Sequence, residues 1–337
     1  MRCNLAKTPY SFDVSVWEFF LPLISGARLV LASPNGHTDP EYLISLIKSS
    51  AVTTLHFVPS MFRVILGQKA WSECRTIRRV FCSGEALAPD LVLKHYALNS
   101  APLFNLYGPT EAAIDVSHWH CSELNKLNFI PIGKPIQNVK LYVLNDYGSP
   151  QAVGCRGQLY IGGDCLARGY LNNPELTREK FIPNPFSANQ GDRLYKTGDV
   201  VRWLKDGSLE YSGRNDDQTK IRGIRIELGE IEAKLNELSM VETSLVMVRE
   251  DSPGEQRIVA YIVLSDCVQD NKTLQATLNE SLKISLPDYM IPRAFVILDD
   301  IPVTVNGKVN RSILPTPESN DFITEVYVAP RTQNEKY

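Results

Sequence analysis

Apolar and polar positions follow two different periods along the first third of the chain. Residues 17–24 set their apolar side chains on one helical face, residues 27–32 form a short continuous apolar run, and residues 40–49 return to helical spacing. Residues 52–58 read as a strand, 60–66 as a helix and 78–82 as another short strand, the buried kind in the case of 27–32. Strands alternating with helices predict a layered α/β domain around a largely parallel sheet. From about residue 130 the texture changes. Short strands at 139–144, 157–161, 200–204 and 208–211 are separated by Gly, Pro and Asp-Gly turns, and Lys205-Asp206-Gly207 is a strong hairpin signal. These predict a small antiparallel, barrel-like subdomain. Near Gly213 a third pattern begins: a helix at 227–238, strands at 243–248 and 257–264 around a loop at 251–255, a helix at 274–284, the turn LPDYMIP and a strand at 294–298. This predicts a compact α+β domain of about 110 residues, a size typical of one folding unit.

Bulk properties narrow the class. A chain of 337 residues suits two or three domains, and 44% hydrophobic with 22% charged residues is ordinary for a globular protein. A net charge of −3 gives no electrostatic case for nucleic acid or an anionic membrane surface. No apolar run reaches the roughly 20 residues that span a bilayer, and the N-terminal stretch MRCNLAKTPYSFDV lacks a signal-peptide core. Seven cysteines, odd in number, scattered and without a CxxC, predict buried thiols in a reducing cytoplasm. His118 and His120 share a strand face about Trp119, but neither cysteine nor carboxylate stands at ligand spacing, so no metal site is read there.

The densest chemistry lies in residues 105–111, NLYGPTE. Gly108 and Pro109 turn the chain out of an apolar segment, and the turn presents a ring (Tyr107), a hydroxyl (Thr110) and a carboxylate (Glu111) within five residues. Stacking surface, phosphate donor and hard Mg²⁺ ligand are the needs of a nucleoside triphosphate site, although an ordinary capped strand-to-helix turn has the same composition. Asp199 in YKTGD could hold a ribose diol or finish a turn. Gly213-Arg214-Asn215-Asp216 suits a linker or a hinge, the alternating KIRGIRIE a solvated strand face, and Lys308 in Asn306-Gly307-Lys308 a solubilising turn lysine.

Taken in order, FDVSVWE, NLYGPTE, GQLYIGGDCLARGYL, YKTGDV, GRNDDQTKIRGIRIELGEIE, LPDYMIP and NGKVNR resemble the amino-acid adenylation domains of nonribosomal peptide synthetases, within the acyl-adenylate-forming superfamily, from about residue 8 onward. The resemblance implies a partial acyl-adenylate-forming fold: residues 1–129 as part of the α/β core, 130–213 as the β-rich barrel-like subdomain, 214–326 as a mobile C-terminal α+β domain, and 327–337 as a linker towards a carrier domain. It implies joining of an amino acid to AMP with release of pyrophosphate, then transfer to the phosphopantetheine thiol of a carrier domain. By that likeness Tyr107 stacks on adenine with Asn105 near its polar edge and Gly108 beside it. Thr110 touches the phosphates and Glu111 coordinates Mg²⁺. Asp199, helped by Arg214, takes the ribose hydroxyls, and Tyr211 lines the nucleotide pocket. Lys308 neutralises charge shared between the amino-acid carboxylate and the α-phosphate, the role for which a placed cation is suited. Asp216 resembles the hinge residue.

In the same frame Asp13 pairs with the substrate's α-ammonium, and the pocket falls on Val14, Trp17, His56, Phe81, Ser83, Leu106, Ile114 and Asp115. Trp17, Phe81, Leu106 and Ile114 make a small apolar enclosure; His56, Ser83 and Asp115 add hydrogen-bonding groups, each costing roughly 1–3 kcal/mol if buried unpaired. The set resembles that of serine-activating domains, with threonine the nearest rival because a methyl alters binding by only about 1–3 kcal/mol. A plain acyl-CoA ligase is disfavoured by Asp13, whose charge repels an acid lacking an ammonium. A non-catalytic piece that only docks a carrier protein is the remaining alternative. Two departures, Thr219 and Asn310, alter little. A larger one is the lack of the Gly/Ser/Thr-rich, lysine-terminated phosphate loop that such domains carry upstream of FDxS. The first third of the domain is therefore expected to be absent, and the chain by itself is expected to adenylate poorly and to expose core surface.

Overall fold

The computed structural model describes residues 2–121, 128–215, 218–251, 255–265, 271–302, 309–318 and 321–322. The chain divides into two compact units, Met1–Asp216 with Arg222–Ile224, and Asp217–Ile221 with Arg225–Tyr337.

Strict alternation of strand and helix builds the first layer. In chain order it runs β1 (Cys3–Ala6), α1 (Val14–Ile24), β2 (Arg28–Leu31), α2 (Pro40–Ser49), β3 (Thr54–Phe57), α3 (Pro59–Leu66), β4 (Arg79–Cys82), α4 (Pro89–Leu98) and β5 (Leu103–Tyr107). Each helix returns the chain to the same end of the sheet, so β2, β1, β3, β4 and β5 pair parallel in that order. β6 (Ser117–His120) and β7 (Lys134–Pro135) extend the sheet antiparallel. Local signals explain the helices. Asp39 caps α2 by accepting the Glu41 and Tyr42 N–H groups, Pro40 starts it, and Leu43, Ile44 and Ile47 form its buried stripe. The core beneath α2 and α3 centres on Phe57 stacked on Phe62, 5.6 Å between centroids, with Trp71 edge-on to both. β3 is buried throughout, whereas β2, expected to be a buried strand, has Leu31 62% exposed. It pairs with β1 on one side only among the described residues. A short apolar run does not by itself reveal whether both of its edges are covered.

The second layer of this unit is antiparallel. β8 (Val139–Leu144), β9 (Arg156–Gly163), α5 (Pro174–Lys180), β10 (Phe181–Pro183), β11 (Arg193–Trp203) and β12 (Leu209–Arg214) give a sheet in the order β10-β11-β9-β8, with β12 also on β11. The turn between β11 and β12 is closed by Asp206, which accepts the Ser208 N–H and hydroxyl, and by Gly207 at φ +80°. The strand expected over 200–204 overlaps only the last four residues of β11, which begins at Arg193 and ends at Trp203. Between Lys196 and Val200 its pairing with β9 shifts register. That bulge, at Thr197-Gly198-Asp199, hides a long strand from a period-2 reading and re-aims Asp199.

In the rest of the chain β13 (Gln218–Ile221) pairs with β14 (Ile224–Glu227), so KIRGIRIE is a hairpin turning at Arg222 and Gly223, both with positive φ. α6 (Leu228–Asn236), β15 (Val241–Glu250), β16 (Gln256–Leu264), α7 (Asn271–Ser285) and β17 (Ala294–Leu298) follow. β15 and β16 pair antiparallel and β16 and β17 parallel, around a core that includes Leu245, Val259, Tyr261 and Val296. No helix among the described residues is long and apolar enough to cross a membrane.

Candidate functional site

The strand order creates a crevice. After β1 the chain goes to one side for β2 and then crosses to the other for β3, and a reversal of this kind opens a ligand-binding cleft outside the carboxyl ends of the strands. Asp13 follows β1, and His56 lies near the end of β3. His56, Phe81 and Phe104 are register partners across β3, β4 and β5, so three separate sequence positions form one row. Trp17, from the first turn of α1, closes over that row, with its ring 5.8 Å from His56 and 5.7 Å from Phe81, edge-on to both. Phe104 continues the row against Phe81 at 5.4 Å.

His56 is 2% exposed and its Nε2 lies 2.9 Å from the Ser83 hydroxyl. Burial, and then the charge of Lys7, hold the imidazole well below its usual range, so it is neutral near pH 7. His56 Nδ1 and Trp17 Nε1 are both buried without a hydrogen-bond partner. Asp13 occupies the N-cap of α1 yet makes no cap bond, unlike Asp39 on α2; its Oδ2 accepts the Thr110 hydroxyl at 2.6 Å. Val14 is buried at the start of the helix.

β5 turns Asn105 and Tyr107 to one face and Leu106 to the other. Beyond it the chain folds back on itself. A Cβ on Gly108 would lie 2.3 Å from the Ile114 carbonyl oxygen, so only glycine permits this approach. The return passes through Ala113 at φ +56° and Ile114 at φ +82°, a conformation β-branched residues rarely adopt. The Val116 N–H then closes the turn on the Tyr107 carbonyl at 2.7 Å. Ile114 and Asp115 are thereby brought beside the end of β5.

On the other face the Tyr107 hydroxyl donates to Asp199. The Asp199 carboxylate, 6% exposed, also accepts Arg214 Nη1 at 2.7 Å, while Arg214 Nη2 donates to the Thr197 carbonyl at 2.9 Å. Burial, and next the Asp199 charge, push the Tyr107 phenol well above its usual range. The Tyr211 ring is 6.5 Å from that of Tyr107. Asn105 donates to the Pro131 carbonyl at 2.8 Å, and its Oδ1 is buried without a partner. Glu111 accepts the Tyr170 hydroxyl at 2.7 Å, and its carbonyl accepts the Ala167 N–H at 2.8 Å.

Of the residues expected at a site, the structure joins Tyr107, Asp199, Arg214 and Tyr211 in one cluster, Trp17, His56, Phe81 and Ser83 in another, and Asp13 to Thr110. Lys308, Asp216 and the 327–337 segment lie outside the described residues. Three contributors had no role assigned from sequence. Tyr170 stands inside the GQLYIGGDCLARGYL motif without a local sign of its partner 59 positions away. Thr197 braces Asp199 from within the bulge. Glu18 did carry a signal: a carboxylate on the buried stripe of α1, between Val14 and Pro22. No group of three or more His, Cys, Asp or Glu suited to a metal occurs among the described residues. A lone carboxylate such as Glu111 fits Mg²⁺ only where phosphate oxygens and water supply the other ligands.

Comparison with known proteins gives a consistent family. The model for AMP-binding enzymes matches residues 3–171, and that for the AMP-binding enzyme C-terminal domain matches 230–308. Tyrocidine synthase 3 of Brevibacillus parabrevis is 50% identical over 329 residues, 98% of this chain and 5% of that protein. The structure of the Vibrio cholerae adenylation domain AlmE in complex with glycyl-adenosine-5'-phosphate is similar at TM-score 0.80 and 26% identity, covering 92% of this chain and 57% of the other. The structure of holo-PA1221, a nonribosomal peptide synthetase protein containing adenylation and PCP domains bound to a vinylsulfonamide inhibitor, is similar at TM-score 0.80 and 26% identity, covering 93% and 52%. The chain thus spans only part of the relatives it matches.

Proposed function

The chain belongs to the AMP-binding enzyme family, among the adenylation domains of nonribosomal peptide synthetases, and on that premise we propose that it activates a small hydroxylated amino acid, serine, with ATP and serves a carrier-domain thiol. In this reading Asp13, at the positive end of α1 and not consumed by capping, receives the α-ammonium. The substrate carboxylate attacks the α-phosphorus of ATP, the bond to pyrophosphate breaks, and aminoacyl-AMP forms. Tyr107 offers its face to adenine, and Asn105, with a buried acceptor lacking a partner, offers that acceptor to the exocyclic amine. Asp199, fixed by Arg214, takes the ribose hydroxyls, and Thr110 exchanges Asp13 for a phosphate oxygen when nucleotide binds. Glu111, held by Tyr170, would hold Mg²⁺, which when bound offsets phosphate charge. Lys308 is assigned the cation between the two reacting anions by its motif alone.

The single observation that carries the side-chain preference is the pair of buried, unpartnered atoms, Trp17 Nε1 and His56 Nδ1, within an aromatic enclosure. Neutral His56 has an acceptor to give once Nε2 donates to Ser83, and the indole has a donor. A hydroxyl answers both, and an aliphatic side chain answers neither. The acylated carrier is proposed from the PCP-containing neighbour.

The test is pyrophosphate exchange across the amino acids, alongside calorimetric binding of non-hydrolysable aminoacyl-sulfamoyl adenosines. Serine is expected first and threonine second, separated by about 1–3 kcal/mol. Preference for leucine or phenylalanine defeats the pocket assignment. Asp13→Asn is expected to abolish discrimination between amino acids and their des-amino analogues.

A further inference from the structure

The β1–α1 connection carries Asp13, and a buried side chain with no part in the chemistry above governs its path. Glu18 is 1% exposed in the second turn of α1. Its Oε2 accepts the backbone N–H groups of Lys7 at 3.1 Å and Thr8 at 2.9 Å, and its Oε1 accepts the Thr8 hydroxyl at 2.9 Å. Lys7 and Thr8 are the residues by which the chain leaves β1. The three bonds therefore close a ring from residue 7 to residue 18, with Asp13 midway round it. Within the ring the Phe12 N–H reaches the Pro9 carbonyl, the Ser15 N–H reaches the Phe12 carbonyl and the Ser15 hydroxyl reaches the Tyr10 carbonyl.

A carboxylate in the interior is unfavourable unless donors surround it. Here the donors are two backbone amides and the Thr8 hydroxyl, and the nearby charge is the Lys7 ammonium, 4.9 Å from the ring centroid of Phe57, the residue after His56. An uncharged residue would pack on this stripe of α1 without such demands. What the carboxylate adds is a fixed geometry for the turn in front of the helix, and Asp13 is the residue that turn presents.

We propose that Glu18 is a positioning residue for the amino-acid ammonium, clamping Lys7 and Thr8 so that the Asp13 carboxylate points in one direction beside Val14 and Trp17. The proposal rests on the assignment of Asp13 to the ammonium, and the experiment separates the two. Wild type, Asp13→Asn, Glu18→Ala, Glu18→Gln and Thr8→Val chains are titrated with seryl-sulfamoyl adenosine and with its des-amino counterpart. Near-ultraviolet circular dichroism serves as a check on folding. KM for serine and for ATP are compared in pyrophosphate exchange. Glu18→Ala is expected to weaken the amino probe by about tenfold, the worth of one charge-assisted bond, while the des-amino probe and KM for ATP stay within about twofold. Glu18→Gln, which keeps one acceptor oxygen, and Thr8→Val, which removes one donor, are expected to fall between. Equal weakening of both probes marks a merely structural staple and overturns the proposal, as does unchanged affinity for the amino probe in Glu18→Ala. If wild type does not prefer the amino probe, or Asp13→Asn retains the preference, the ammonium assignment itself falls, and the proposal with it.

Discussion

Asp199 shows how one side chain is made ready by its neighbours. A β-bulge turns it inward, Thr197 braces its backbone N–H, Tyr107 donates to one oxygen and Arg214 to the other. Removing Arg214 takes away the ion pair at 2.7 Å with this buried carboxylate. Arg214→Ala is therefore expected to destabilise the first unit by about 3 kcal/mol, read from the denaturant midpoint, and Arg214→Lys to recover part of it. Tyr170 poses a gentler case. Its ring packs on Phe181 at 5.7 Å, so Tyr170→Phe keeps the packing and deletes the hydroxyl's bonds to Glu111 and Tyr195. If Glu111 holds Mg²⁺, the variant needs roughly three- to tenfold more Mg²⁺ for half-maximal pyrophosphate exchange, about the worth of one hydrogen bond. Fold stability should change little.

At the scale of elements, the return of the chain from β5 depends on a missing side chain. Gly108→Ala forces a Cβ onto the Ile114 carbonyl and cannot be relieved by a rotamer change, since the obstacle is backbone. A loss of about 1–3 kcal/mol is expected by thermal or chemical denaturation, the usual size of an overpacking penalty. Binding of adenosine-containing probes should weaken with it, because Ile114, Asp115 and Tyr107 move together. Much at this scale was legible in advance. The helix over 40–49 coincides with α2, because Asp39 and Pro40 start it with unambiguous chemistry. The strand expected over 200–204 is only the end of β11, because a bulge breaks the alternation of the longer strand. β1 is not legible in the sequence: four residues, CNLA, carry no period of their own and become a strand only between β2 and β3.

For the whole molecule, two buried histidines set a dependence on acidity. His56 and His95 both have their pKa values lowered, chiefly by burial, so the folded state resists the proton that the unfolded chain accepts below about pH 6.5. Protons then favour the unfolded state, so stability falls as pH decreases through the usual histidine range and levels off only where the folded histidines themselves take up the proton. Glu18, with its pKa raised by burial, acts in the opposite sense nearer the carboxylate range. Denaturant titrations at several pH values check the slope, and His95→Gln should flatten it while lowering stability throughout. The sequence by itself determined the family, the order of the motifs, and the kind of most elements, because period, caps and turn residues act over a few positions of chain. It also nominated Asp13, His56, Ser83, Tyr107, Glu111 and Asp199. Only the tertiary structure decided that His56 meets Ser83, that Tyr107 and Arg214 share Asp199, that Tyr170 holds Glu111 and that Glu18 holds the turn before Asp13. Those pairings follow from strand order, register and one bulge, and such long-range geometry is set by the packing of the whole sheet rather than by any local run of residues.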